Sequence, residues 1–275
     1  MPDRTFRIHT GARPPEIDVR TFAGTVTLEA VEGGDELDVR VEALDAAAEQ
    51  LIDRVEIGAD PAEPESPARL WIAVPHRLLG RTPSFAITVR TPTGARARVA
   101  AAAADLETRG RMGRLEVTGA TGDIAVDECA ELHLRIASGD ARIGTVTGRA
   151  SLATASGDLR IGSVGDGLEL KTASGDVSVG ETSGDVSVGS ASGDVRVDAA
   201  GAGSIQAKSV SGDVAVAVRP GMRVWLDLSS VSGRINSQLE EEPGAGTDTP
   251  AQLSLTLRSV SGDLRVHRAA PAPTA

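Results

Sequence analysis

The chain has 275 residues, a formal net charge of −11 and only 2% aromatic residues, with no tyrosine. The acid excess argues against nucleic acid, whose phosphates demand basic patches, and equally against docking on anionic lipid. No stretch approaches the roughly 18 consecutive apolar residues of a membrane span, and the opening MPDRTFRIHTGARPP has no apolar signal core, so neither membrane insertion nor export is expected. The one cysteine, Cys129, has no partner for an internal disulfide, and the cytoplasm is the expected location.

Residues 1–93 are β-rich without a strict repeat. Alternation of apolar and polar residues predicts strands over Glu16–Thr21, Thr25–Ala30, Glu36–Glu42, Leu70–Val74 and Ser84–Arg90. Asp45 is placed to cap a short helix over Ala46–Asp53, and Asp60–Pro67, with three prolines, reads as a loop. The region is expected to form a cap and irregular early coils on the remainder of the chain, because an open stack of strands would expose unpaired edges. An independent binding domain is the alternative.

From residue 94 to 268 the chain repeats itself. Ser-Gly-Asp stands at Ser138-Gly139-Asp140, Ser156-Gly157-Asp158, Ser174-Gly175-Asp176, Ser192-Gly193-Asp194 and Ser211-Gly212-Asp213. The glycine steps are 157 − 139 = 18, 175 − 157 = 18, 193 − 175 = 18 and 212 − 193 = 19. Gly122 precedes the series, Ala104-Asp105-Leu106 forms a degenerate first coil, and Gly233 and Gly262 continue it at wider steps. Positions two and four after each glycine are aliphatic, as in Ala141/Ile143, Leu159/Ile161, Val177/Val179, Val195/Val197 and Val214/Val216, which places them on one face of a strand with Arg142, Arg160, Ser178 and Arg196 outward. A second register at Gly148, Asp166, Gly184 and Gly203 gives a second strand per unit.

A two-strand unit with one apolar face buries that face only by stacking on copies of itself. The expected fold is therefore all-β: a parallel β-solenoid, β-helix-like, with coils of about 18 residues and two short strands each. A three-sided coil of about 27 residues is the alternative. An acidic, Gly/Pro-rich run from Glu240 to Pro250 reads as a loop insertion, and Ala269–Ala275 as a disordered tail.

On 18-residue coils, Asp140, Asp158, Asp176, Asp194 and Asp213 stack in a row, which a cation such as Ca²⁺ could neutralise. Turn chemistry accounts for the same residues: Gly122, Gly139, Gly157, Gly175, Gly184, Gly193, Gly212, Gly233 and Gly262 supply turn conformations, and Ser and Asp side chains bond nearby amides. The calcium β-roll nonapeptide does not match, since here glycine and the aliphatic residue directly flank the aspartate. His9, His76, His133 and His267 lie far apart with no metal-ligand spacing, and Cys129 has no base partner in the sequence. Nucleotide-binding and serine-hydrolase motifs are absent. A carbohydrate-active solenoid enzyme would need flanking carboxylates and aromatic platforms, and none of Phe6, Phe22, Phe85, Trp71 and Trp225 lies on the regular repeat.

The runs IASGDARIG, TVTGRASLATASGDLRIGSV and GDGLELKTASGDVSVGETSGDVSVGSASGDVRV, with RLWIAVP and AITVRTPTGARARV upstream, resemble a bacterial β-strand-repeat family labelled "putative adhesin", a domain of unknown function. The resemblance spans roughly Ile17 to Val266. It implies a β-solenoid with no cofactor and no catalytic residues to carry over. The expected role is a non-enzymatic interaction or scaffold surface, in which Arg142, Arg160, Arg196 and the aspartate row face a protein partner. Self-association of a cytoskeletal type and a calcium-stabilised solenoid are the alternatives.

Overall fold

The computed structural model describes residues 2–75, 82–239 and 251–269. His76, the Glu240–Pro250 insertion and residues 270–275 of the tail lie outside the described residues. The chain divides into two compact units, Met1–Val146 and Thr147–Ala275.

The first unit holds β1 (Asp3–His9), β2 (Glu16–Val31), β3 (Glu36–Ala43), α1 (Ala46–Glu49), β4 (Glu56–Asp60), β5 (Arg69–Ala73), β6 (Phe85–Pro92), β7 (Arg96–Thr121), β8 (Ile124–Ser138) and β9 (Ala141–Val146). The two strands expected at Glu16–Thr21 and Thr25–Ala30 are one strand that bends at Gly24 (φ +112°). A Cβ at Gly24 would fall on the carbonyl of Phe85, so both the angle and the space demand glycine. Alternation survives the bend, with Ile17, Val19, Val26 and Leu28 all buried.

β2 runs parallel to β7, from Glu16↔Arg96 to Glu29↔Arg109. On its other side β2 meets β5 and then β6, also parallel. Antiparallel strands cover those two: β4 pairs with β5, β3 with β6, and β1 with β3. β1 was not expected, because DRTFRIH offers only Phe6 and Ile8 as apolar positions. Asp45 does cap α1, its carboxylate accepting from the Ala48 amide at 2.7 Å and from the Ser84 amide at 3.2 Å. The helix is shorter than expected, because tight i→i−3 bonds from Leu51, Arg54 and Val55 replace the α pattern and close a 3₁₀ turn over Ile52–Arg54.

The second unit is the regular solenoid. Its strands are β10 (Arg149–Ser156), β11 (Leu159–Val164), β12 (Gly167–Ser174), β13 (Val177–Thr182), β14 (Asp185–Ser192), β15 (Val195–Ala200), β16 (Gly203–Ser211), β17 (Val214–Val218), β18 (Val224–Ser230), β19 (Ile235–Ser237), β20 (Leu253–Ser261) and β21 (Leu264–Arg268). β10 pairs with β12 at Arg149↔Gly167, and β11 with β13 at Leu159↔Val177, both parallel and both 18 residues apart. Each coil thus has two strands, and the three-sided alternative falls. The aliphatic pairs point inward as expected: Leu159, Ile161, Val177, Val179, Val195, Val197, Val214 and Val216 are all buried.

The last two layers do not follow chain order. β20 lies between β16 and β18, and β21 between β17 and β19. After β17 the chain turns at Pro220-Gly221, skips one layer to lay down β18–β19, and fills the gap later with β20–β21. The terminal layer carries weaker core positions, with Leu226 and Leu228 half-buried and Ile235 exposed.

This order is open to a direct test by cysteine pairing. Gln206 neighbours Thr256, which in turn neighbours Asp227. Adjacent strands bring Cα atoms to about 4.8 Å, within disulfide reach, whereas two layers span about 9.6 Å and exceed it. Gln206→Cys with Thr256→Cys should oxidise to a crosslink visible on a non-reducing gel. Gln206→Cys with Asp227→Cys should not, and the opposite result would restore chain order.

Candidate functional site

Each main corner of the second unit is built from a hydroxyl residue, a small apolar residue, Ser, Gly and Asp, as in Thr172-Ala173-Ser174-Gly175-Asp176. The hydroxyls form a buried inward column of Thr154, Thr172, Ser190, Ser209 and Ser259, in register through β10, β12, β14, β16 and β20. Thr154 and Thr172 donate to carbonyl oxygens two residues ahead, at Ser156 and Ser174, and so fasten the turn.

The glycines answer two demands. Gly157, Gly175, Gly193 and Gly212 all have φ between +108° and +129°, a region that penalises any Cβ. In addition, a Cβ on Gly175, Gly193, Gly212 or Gly262 would land on the carbonyl of the preceding layer's glycine. Gly184, Gly233 and Gly262 lack the positive φ expected of them and are required by close approach alone, Gly184 to the carbonyl of Asp166 and the other two to a glycine carbonyl of the neighbouring layer. In the first unit, Gly122 and Gly139 combine both features.

The aspartates cap the next layer. Asp158 accepts from the backbone amide of Asp176 at 3.1 Å, Asp176 from Asp194 at 2.9 Å, Asp194 from Asp213 at 2.8 Å, and Asp213 from Asp263 at 2.8 Å. Asp140 belongs to the first unit, where its amide donates to Asp123 and that of Asp123 donates to Asp105. One oxygen of each acceptor therefore faces a backbone N–H, which explains how like charges tolerate a spacing of one layer. No three His, Cys, Asp or Glu side chains converge as a metal-binding group among the described residues.

The series ends on a residue that the repeat pattern alone did not single out. In the terminal layer Ser232-Gly233 is followed by Arg234, whose amide donates to Asp263 at 2.9 Å while its guanidinium bonds the other carboxylate oxygen at 2.9 Å and 3.2 Å. Among the described residues no later layer offers an amide for an aspartate to cap, and arginine neutralises the last carboxylate instead. Those bonds hold the Asp263 carboxyl below its ordinary range. The substitution of Arg for Asp in the repeat was the available signal that this layer is terminal. A second corner shows the same device once, with the Ser204 amide donating to Asp185 at 2.9 Å.

The outward arginines fall into columns. Arg142 lies in the first unit opposite Ala125. In the second unit Arg160, Ser178, Arg196, Ala215 and Arg265 stand in register on successive layers, so arginine recurs on every second layer. Arg160 bonds Asp158 at 3.1 Å, Arg196 bonds Asp198, and Arg265 lies 3.9 Å from Asp263. His133 points outward and His9 pairs with Asp35 at 3.6 Å, far from any cluster. Cys129 is fully buried, and burial with the nearby Glu128 charge pushes its thiol up to about 12, far from a nucleophile's range.

The corner geometry can be tested at two residues. Gly193→Ala should cost about 2–4 kcal/mol in urea unfolding, because φ and the Gly175 carbonyl both oppose it, whereas Gly189→Ala, with open space around it, should stay within about 1 kcal/mol. Asp263→Asn retains an acceptor for the Arg234 amide but not the charge. Since the folded-state pKa of Asp263 is lowered, its charge stabilises above the unfolded carboxylate range, and that stabilisation is lost as pH falls through the folded value. The wild type should therefore exceed the variant in stability at neutral pH and converge with it in acid, as measured by melts across pH.

Among solved structures, a putative adhesin from Parabacteroides distasonis is 13% identical, with 96% of this chain and 97% of that chain covered and a TM-score of 0.42. A putative adhesin from Bacteroides fragilis is 14% identical, with 97% of each chain covered and a TM-score of 0.40. A putative lipid binding protein from Parabacteroides distasonis is 12% identical, with 95% and 96% covered and a TM-score of 0.32. None of these overlays carries residue roles across. No curated protein matches the chain. A family model described as Toastrack DUF4097 matches residues 108–267, more than half of the sequence and the whole run of glycine-aspartate corners, and the chain belongs to that family.

Proposed function

We propose that this chain is a non-enzymatic β-solenoid interaction protein of the cytoplasm, presenting a repeat face of its second unit to a protein partner. The observation that carries the reading is the column in which Arg160, Arg196 and Arg265 recur on alternate layers, separated by Ser178 and Ala215. Layers stacked at about 4.8 Å set those guanidinium groups about 10 Å apart, roughly three residues of an extended chain. A partner segment with acidic residues at that interval meets all three at once.

The energetics favour exchange of partners. Each arginine has an aspartate two residues away within 4.0 Å, but all three side chains are more than half exposed. Exposed ion pairs contribute about 0–1 kcal/mol, so a partner carboxylate displaces them at little cost. The Thr154 and Thr172 hydroxyls are engaged in turns and the corner carboxylates in amide caps, and the buried Cys129 is not a nucleophile. A single, unpaired cysteine fits a reducing compartment. No described helix is long and apolar enough to cross a membrane.

Crosslinking in intact cells of the source organism tests both parts. A membrane-permeable crosslinker should capture a defined partner, and an impermeant one should not. Joint substitution of Arg160, Arg196 and Arg265 by alanine should reduce capture about tenfold with an unchanged melting temperature. Capture that survives the triple change would overturn the arginine column as the contact, and capture by the impermeant reagent would move the protein outside the cell.

A further inference from the structure

A second surface, on the first unit, has a different chemistry. The outward face of β4, β5, β2 and β7 encloses an open groove of about 590 Å³. Its floor is set by strand register: Gly58, Trp71 and Asp18 lie side by side, with Arg98 next on β7, and Asp60, Arg69, Glu16 and Arg96 form the adjoining row.

Trp71 is one of only two tryptophans in a chain without tyrosine. Its indole lies against Gly58, where an added Cβ would collide with the ring. Covering that glycine accounts for part of the ring. Even so, Trp71 remains 42% exposed and lines the groove. An immobilised aromatic surface with an open side is a platform for the C–H face of a flat ring, whose weakly positive hydrogens meet the negative π cloud.

The rest of the groove is rich in donors. Glu16 is shared by Arg69 at 3.1 Å and Arg96 at 3.9 Å, and Glu116 by Arg98 at 3.0 Å and Arg114 at 2.8 Å. Four guanidinium groups thus share the groove with four carboxylates, of which Asp60 stands beside Arg69 at the end of its row and Asp18 turns to Arg20 outside the groove at 3.2 Å. Each guanidinium carries five N–H donors in a fixed fork, so most remain available for hydroxyls or for bidentate binding of a carboxylate. Arg96 and Arg98 stand two strands from Trp71, about 10 Å away, the reach of two linked sugar rings.

We propose that this groove binds an oligosaccharide of uronic acids, one pyranose ring stacked on Trp71 and the carboxylate of the next held by Arg96 and Arg98. The assignment is independent of the arginine column on the second unit. The geometry separates the contributions: Trp71 supplies affinity for the ring, Gly58 fixes the platform, and the guanidinium groups select for acid.

Titration of the full chain with tetragalacturonate, with an alginate tetramer and with uncharged cellotetraose tests the site by tryptophan fluorescence and calorimetry. The Trp225→Ala background isolates the emission of Trp71. Saturable binding of at least one uronate is expected, about tenfold tighter than cellotetraose and weakened by salt. Trp71→Ala should abolish it. Gly58→Ala, which displaces the indole without deleting it, and Arg96→Gln should each weaken it about tenfold at an unchanged melting temperature. The latter two variants keep the test valid should Trp71→Ala fail to fold. Absence of binding to both uronates, a preference for cellotetraose, or binding that Gly58→Ala and Arg96→Gln leave intact would each overturn the proposal.

Discussion

At each main corner of the solenoid the carbonyl of one glycine occupies the space that a side chain on the next layer's glycine would need. Strand pairing sets the layer spacing at about 4.8 Å, and a turn with a Cβ at this point cannot stack at that distance. The rest of the second unit depends on this single steric condition. It requires every coil to return a glycine to the same place, whether after 18 residues at Gly193, 19 at Gly212 or 50 at Gly262. It also brings each aspartate under the next layer's amide, so that the charge the sequence repeats becomes a cap and not a repulsion. Columns of identical inward and outward positions arise from the same register.

Much of this was legible in the residues. The Ser-Gly-Asp phrase and its aliphatic partners defined the coil length, the strand count and the inward face, because a period-two pattern inside an 18-residue period admits few arrangements. The layer order was less accessible. Nothing in LSLTLRSVSGDLRV states that it lies between its neighbours and not beyond them, since pairing of stacked parallel strands depends on which edges are free. Arg234 was the exception: a residue that breaks the repeat where the stack stops. β1 leaves little trace in the sequence, because antiparallel strands covering an edge need few apolar positions. Gly58 and Trp71, 13 residues apart, meet only through the β4–β5 pairing, and no local pattern announces such a meeting.

Both proposed surfaces rest on outward positions, where the sequence is least constrained by the core. Inward, valine, leucine and isoleucine substitute for each other within a narrow volume range. Outward, Arg160 gives way to Ser178 and Arg196 to Ala215 without consequence for packing. Variation at such positions is constrained by what the surface touches and not by the core, which is why the arginine column and the tryptophan groove carry information that the glycine ladder does not. The two surfaces also sit on different kinds of framework. The column rests on near-identical layers, and the groove on mixed parallel and antiparallel strands whose register is set once.

The skipped layer has a consequence for the order in which the molecule is made. Layers from β10 to β17 can be laid down in chain order, each on a neighbour already synthesised. The β18–β19 segment emerges next but has no finished neighbour, because the strands that flank it in the native molecule are still unsynthesised. It must wait with Leu226 and Leu228 uncovered and two vacant positions within reach, one of them the edge of β16 that belongs to β20. Premature pairing there would be parallel, glycine-compatible and wrong, and has to be undone before β20 can enter. Completion of this solenoid thus sets two segments in competition for one edge.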